Sequence, residues 1–252
     1  MELGLKGKVA IVTGAGSPIG FGKAIALNLA KEGCDIVVAD IDLKSAENTA
    51  SDVKVLRRKA VAVKVDITNS AEVKNMVKVA LEQFKRIDIL VNNAGASSSF
   101  KPFVEKGEED WDLDINVNLK GVLRCTSAVL PHMISQKSGK IINISSGAGK
   151  MGSPGVVTYG AAKAGIIAFS RGLAREVAPL GVLVNVVCPG VSNTGFGKNA
   201  PQGALENVAA NTPVRRLTEP QDIGTMVTFL CSEVTNDICG QAISVDGGDI
   251  MV

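Results

Sequence analysis

The sequence predicts an α/β fold, a doubly wound parallel sheet of about seven strands with helices on both faces. Three observations point there. Short β-branched runs, apolar on both faces as buried parallel strands are, alternate with segments of helical period. The first run leads straight into a glycine-rich turn and a helix, and an acid closes the second run. Alternation alone would also suit a closed eight-stranded barrel, so the turn and the strand-end residues make the choice.

In chain order the strands are expected at residues 9–13 (VAIVT), 36–39 (IVVA), 61–65 (VAVKV), 87–91 (IDILV), 141–144 (IINI), 182–187 (VLVNVV) and 243–245 (ISV). Helical period marks 23–31, 45–57, 71–84, 111–134, 159–177 and 219–230. Glycine makes up 27 of the 252 residues, yet no Gly/Ser linker, low-complexity tract or fixed repeat interrupts the pattern. Residues 1–252 therefore read as one continuous domain.

Composition excludes several functions. The 27 Lys and Arg against 25 Asp and Glu leave a net charge of +2, too balanced for a nucleic-acid-binding surface. An apolar content of 46% rules out a disordered chain. The single histidine, His132, excludes a multi-His metal site, and no metal is expected; its place near a helix end suits a surface role better than catalysis. The cysteines at 34, 125, 188, 231 and 239 form no Cys-x-x-Cys pair and are odd in number. With no secretory signal and no membrane-length apolar run, reduced thiols in a cytoplasmic protein are expected.

The first strand runs into Thr13-Gly14-Ala15-Gly16-Ser17-Pro18-Ile19-Gly20-Phe21-Gly22. Glycines here permit a tight turn and bring backbone N–H groups to a pyrophosphate at the positive helix end. Asp40 closes the second strand, 18 residues beyond Gly22, where a carboxylate binds both adenosine ribose hydroxyls and repels a 2′-phosphate. That argues for NAD over NADP. Asp66 and Ile67 close the third strand, where an Asp can accept from the adenine amino group, and Asn92-Asn93-Ala94-Gly95 closes the fourth. Each Asp or Asn alone could be a turn former; four in register fit one pocket outside the carboxyl ends of the strands.

After the fifth strand comes Ser146, and thirteen residues later Tyr159-Gly160-Ala161-Ala162-Lys163. Positions i and i+4 share a helix face, so Lys163 is expected beside the Tyr159 hydroxyl, bringing its pKa down from the usual value near 10. Tyr159 would then exchange a proton with a carbonyl or alcohol oxygen that Ser146 holds. The small residues of the following helix suggest close packing against cofactor and a partner subunit.

As a set these residues resemble the short-chain dehydrogenase/reductase family, the single-domain type with an Asn-Ser-Tyr-Lys tetrad, from Lys6 to Gly248. Matching features are the Thr13-Gly14 turn, Asp66, Asn92-Asn93-Ala94-Gly95, Asn118, Ser146, Tyr159, Lys163, Pro189-Gly190 with Thr194, and Val245-Asp246-Gly247-Gly248. The resemblance implies a Rossmann-type fold and a catalytic tetrad of Asn118, Ser146, Tyr159 and Lys163. It implies that Asn118 holds a helix kink and a proton-relaying water, and that Lys163 also binds the nicotinamide ribose. Cofactor contacts are implied at Gly14, Ser17, Gly20, Phe21, Gly22, Asp40, Ile41, Asp66, Ile67, Asn92, Ala94, Gly95, Tyr159, Lys163, Pro189, Gly190, Val191 and Thr194. One departure stands out: five residues separate Gly14 from Gly20 where the family has three. Aligning Gly20-Phe21-Gly22 with the glycines that open the helix keeps that helix in register.

The expected activity is NAD-dependent hydride transfer between nicotinamide and a secondary alcohol or ketone, including a hydroxyacyl or oxoacyl thioester. The alternatives are an NADPH-dependent 3-oxoacyl thioester reductase, which Asp40 disfavours, and a cofactor-poor structural subunit paired with a paralogue. The substrate loop is expected at about 192–213; with Phe100, Phe103 and Met151, its Phe196, Leu205 and Val208 suggest a mainly apolar small-molecule substrate. Lys198, Arg215 and Arg216 are either solvated or turned to an anionic carrier. A homotetramer or dimer is implied by the resemblance.

Overall fold

A computed structural model describes residues 2–194 and 203–251. Among them, seven parallel strands form one sheet in the order β3-β2-β1-β4-β5-β6-β7. The strands are β1 (Val9–Thr13), β2 (Asp35–Asp40), β3 (Ala60–Lys64), β4 (Ile89–Asn92), β5 (Gly139–Ile144), β6 (Val182–Pro189) and β7 (Ala242–Val245). The chain steps outward from β1 through α1 (Phe21–Lys31) to β2, then through α2 (Leu43–Val55) to β3. It returns through α3 (Ser70–Phe84) to β4 on the other side of β1. The strand order therefore reverses between β1 and β4, and the carboxyl ends diverge there into a crevice.

Side chains of successive strand residues alternate between the two faces. Ala10, Val12, Ile36 and Val38 pack on one face under Ile25 and Leu29 of α1, Ala50 and Val53 of α2, and Ile223 and Val227 of α9 (Pro220–Cys231). Ile11, Val37, Leu90 and Ile141 pack on the other under α3, α5 (Gly121–Gln136) and α7 (Val157–Val177). The buried cysteines Cys34, Cys125, Cys188 and Cys231 and the half-buried Cys239 are all free thiols. No described helix is long and apolar enough to cross a membrane.

The helix expected over 111–134 is broken. The structure has α4 (Glu108–Asp114), a π-helical turn (Ile115–Lys120), then α5. The cause is Asn118, whose Nδ2 donates to the Asp114 carbonyl at 2.8 Å and to Ala96 O at 2.6 Å, drawing the ladder open toward the loop after β4. Periodicity also did not mark two short helices, α6 (Ala148–Met151) and α8 (Ala204–Asn211).

Candidate active site

The glycine turn lies where β1 meets α1. Gly14 has φ +65, and a Cβ on Gly22 would fall 2.2 Å from the Gly14 carbonyl, so the turn and the first helical turn touch at backbone distance. Gly20 is the N-cap of α1, which begins at Phe21; this places Gly20-Phe21-Gly22 at the helix entrance, as the aligned insertion requires. Ser17, Pro18 and Ile19 bulge to the surface. No side chain caps α1 and no acid occupies its first turn, which leaves its positive end suited to an anion.

Asp40 reaches into this turn from the end of β2, accepting the Gly16 N–H at 2.7 Å and the Asp42 N–H at 3.1 Å. Exposed Ile41 follows it. Asp66 shapes the turn after β3: its Oδ1 accepts the Thr68 N–H at 2.8 Å and the Thr68 hydroxyl at 2.7 Å. Buried Ile67 packs beneath it against Gly121. Beyond β4 the chain is pinned across the switch point by a residue outside the expected set, Asn93. Its Nδ2 donates to the Thr13 and Gly14 carbonyls at 2.9 and 3.0 Å, while Thr13 Oγ1 accepts the N–H groups of Asn93 and Ala94.

Asn92 points elsewhere. Its amide donates to Asn143 Oδ1 at 2.8 Å and Thr126 Oγ1 at 3.1 Å, and Asn143 donates onward to Ser170 Oγ. This buried chain joins β4, β5, α5 and α7, so what Asn92 can present to the crevice is its backbone.

At the reacting end the four tetrad positions converge. Tyr159 and Lys163 lie on α7, and Lys163 Nζ sits 5.5 Å from the Tyr159 ring centroid. Ser146, just past β5, is hydrogen-bonded to the Tyr159 hydroxyl, and its Oγ also accepts the Ala148 N–H. Lys163 donates to the Ile144 carbonyl at 2.9 Å. A Cβ on Gly95 would come within 2.8 Å of Asn118 Oδ1 and 3.4 Å of Lys163 Nζ, so the loop after β4 closes over both. Pro189 ends β6; Gly190 is held against Asp246, Val191 is exposed and Thr194 buried.

Burial governs the charges here. It pulls Lys163 down to about 8, and it pushes the Tyr159 hydroxyl well above the usual phenol value, opposed by the Ser146 hydrogen bond and reinforced by Asp114. The expected lowering of Tyr159 by Lys163 does not appear: burial of the hydroxyl is the largest influence and raises it, and the opposing influence comes from Ser146. His132, by contrast, lies on α5 in a groove against α3 among Lys74, Lys78 and Lys85.

Of the apolar residues expected to face substrate, Phe100, Phe103 and Met151 are exposed, and Phe103 stacks on Trp111 at 5.7 Å. Phe196 and Lys198 lie outside the described residues. Arg216 pairs with Asp222 at 2.6 Å, a surface ion pair.

The site fits a nicotinamide dinucleotide: an uncapped helix end at a glycine turn, a carboxylate at the end of β2, and a tyrosine and lysine further along the same crevice. The short chain dehydrogenase family model matches residues 8–204. This chain belongs to the short-chain dehydrogenase family. It is 37% identical over 244 residues to the 3-oxoacyl-[acyl-carrier-protein] reductase FabG of Thermotoga maritima, covering 97% of this chain and 98% of that protein. It is 38% identical over 246 residues to the (2S)-[(R)-hydroxy(phenyl)methyl]succinyl-CoA dehydrogenase subunit BbsD of Thauera aromatica, covering 98% of each. The crystal structure of NAD+-bound xylitol dehydrogenase superposes with a TM-score of 0.91 at 30% identity, over 97% of this chain and 99% of that one. The short-chain dehydrogenase assignment accounts for the sheet order and makes the chain an oxidoreductase acting on CH–OH or keto groups.

Proposed function

We propose that this short-chain dehydrogenase uses NAD(H) to interconvert a secondary alcohol and its ketone, with Tyr159 as general acid/base, and that its substrate is a hydroxyacyl or oxoacyl thioester. The observation that carries the proposal is the convergence of Tyr159, Ser146, Lys163 and Asn118 beside the glycine turn. A bound nicotinamide would supply the hydride for reduction or take it in oxidation. Tyr159 donates its proton to the carbonyl oxygen during reduction, and Ser146 hydrogen-bonds the same oxygen and fixes it. Lys163 and Asn118 support the hydroxyl and the nicotinamide ribose. The N-terminus of α1 with Ser17, Gly20, Phe21 and Gly22 would hold the pyrophosphate, Asp40 the adenosine ribose, Asp66 and Ile67 the adenine, and Pro189 to Val191 with Thr194 the nicotinamide. The names of both curated relatives, a 3-oxoacyl-[acyl-carrier-protein] reductase and a dehydrogenase subunit for a hydroxy(phenyl)methylsuccinyl-CoA, support a thioester. Residues 192–213 would select it, in a homotetramer or dimer.

Asp40 favours NAD because a second anion beside it is repelled. Parallel fluorescence titrations with NADH and NADPH test this: tight NADH with weak NADPH is expected. Tighter NADPH would overturn the NAD reading in favour of the NADPH-dependent alternative, and binding of neither would point to a structural subunit.

A further inference from the structure

Next to the tetrad lies a buried polar cluster that the reaction above leaves unused. Asp114, the last residue of α4, has no exposed surface. Its carboxylate accepts the Ser98 N–H at 2.9 Å, the Ser98 hydroxyl at 3.1 Å and the Thr158 hydroxyl. Buried Lys106 donates to Ser98 Oγ at 3.0 Å and to the Ser99 carbonyl at 2.6 Å, so the carboxylate meets a counter-charge through one hydroxyl. A buried carboxylate is costly without such donors. Here its hydrogen bonds tie three segments together: the loop after β4 through Ser98, the π-turn through the Asn118 amide on the Asp114 carbonyl, and the start of α7 through Thr158.

Thr158 immediately precedes Tyr159. Around that tyrosine stand Ser146 from the end of β5, Lys163 on its own helix, Asp114 from α4, and Lys106 behind Ser98. The Asp114 charge opposes ionisation of the Tyr159 hydroxyl, in the same sense as burial.

We propose that Asp114 is a positioning residue for Tyr159, fixing the start of α7 through Thr158 while the π-turn and the loop after β4 are held on its other side. This rests on the role given to Tyr159 above. Because Tyr159 is the only tyrosine in the chain, its ionisation can be followed directly by the ultraviolet absorbance of tyrosinate, without turnover. In Asp114→Asn, which keeps shape and removes charge, the titration should begin at lower pH than in the parent, and the alkaline limb of NADH-linked acetoacetyl-CoA reduction should move the same way. Thr158→Val should lower kcat several-fold with little change in the titration, and Thr158→Ser should restore it. Coincident titrations for the parent and a folded Asp114→Asn, or Thr158→Val with parental kcat, would overturn the proposal. Should Asp114→Asn fail to fold, as judged by circular dichroism and NADH binding, the Thr158 pair decides it. Tyr159→Phe separates the two claims: turnover retained there removes the tyrosine's role altogether, whereas an inert Tyr159→Phe with an unshifted Asp114→Asn removes only that of Asp114.

Discussion

Replacing Lys163 with Met tests whether the ammonium at the reacting end is held at an energetic cost. Burial brings its pKa from 10.5 to about 8, whereas the unfolded chain titrates near the ordinary lysine value of about 10.4. Between those values the unfolded state binds more protons than the folded one, so stability rises with pH. Well below the folded value both states carry the charge and the whole penalty is present; above the unfolded value neither does and the penalty has gone. At ~1.4 kcal/mol per pKa unit, holding Lys163 charged costs about 3 kcal/mol near neutrality, and about 2 kcal/mol of that is relieved between about pH 7 and about pH 10. Met has a similar reach and does not titrate. Losing the Ile144 hydrogen bond is a further cost of the variant, but a pH-independent one. Urea denaturation of both cofactor-free proteins across this range should therefore show the parent gaining roughly 2 kcal/mol on Lys163→Met, other titrating groups cancelling in the difference. A difference that stays flat would refute the reasoning, because it would mean that the folded ammonium titrates like a solvated one.

Tyr159→Phe should leave NADH affinity nearly intact while turnover falls by about 10² or more; parental steady-state rates would remove the acid/base assignment. Asp40→Ala should relax the preference for NADH in paired titrations, and an unaltered NADH/NADPH ratio would show that another group sets it. Gly22→Ala forces a Cβ to 2.2 Å from the Gly14 carbonyl, so NADH binding should be lost or a thermal melt lowered, and a variant unchanged in both would disprove the tight turn. Asn92→Ala leaves Asn143 Oδ1 buried without its donor, costing about 1–3 kcal/mol in urea denaturation with NADH affinity kept. The reverse result, weakened NADH at parental stability, would return the Asn92 side chain to the cofactor site.

What was legible in the sequence divides along the range of the forces involved. The strands, the glycine turn and the Tyr159/Lys163 pair are local patterns, and local patterns survive in one dimension. The kink at 115–120 was not written in the helical period, because two amide hydrogen bonds from one side chain open the ladder there. Asn92 and Asn143 are register partners on β4 and β5; aligning the two strands would have revealed a cross-strand amide pair where strand-end position alone suggested a ligand contact. Asp114, Ser98, Thr158 and Lys106 come from separate stretches of chain, and no spacing announces them. The sign of the tyrosine shift failed for a related reason. An i, i+4 spacing shows that a cation stands near a phenol, but the balance between that cation and desolvation depends on how many other elements close over the pair. Here β4's loop, the π-turn and the Ile144 carbonyl all do, and that enclosure raises the Tyr159 hydroxyl where the spacing alone suggested the reverse.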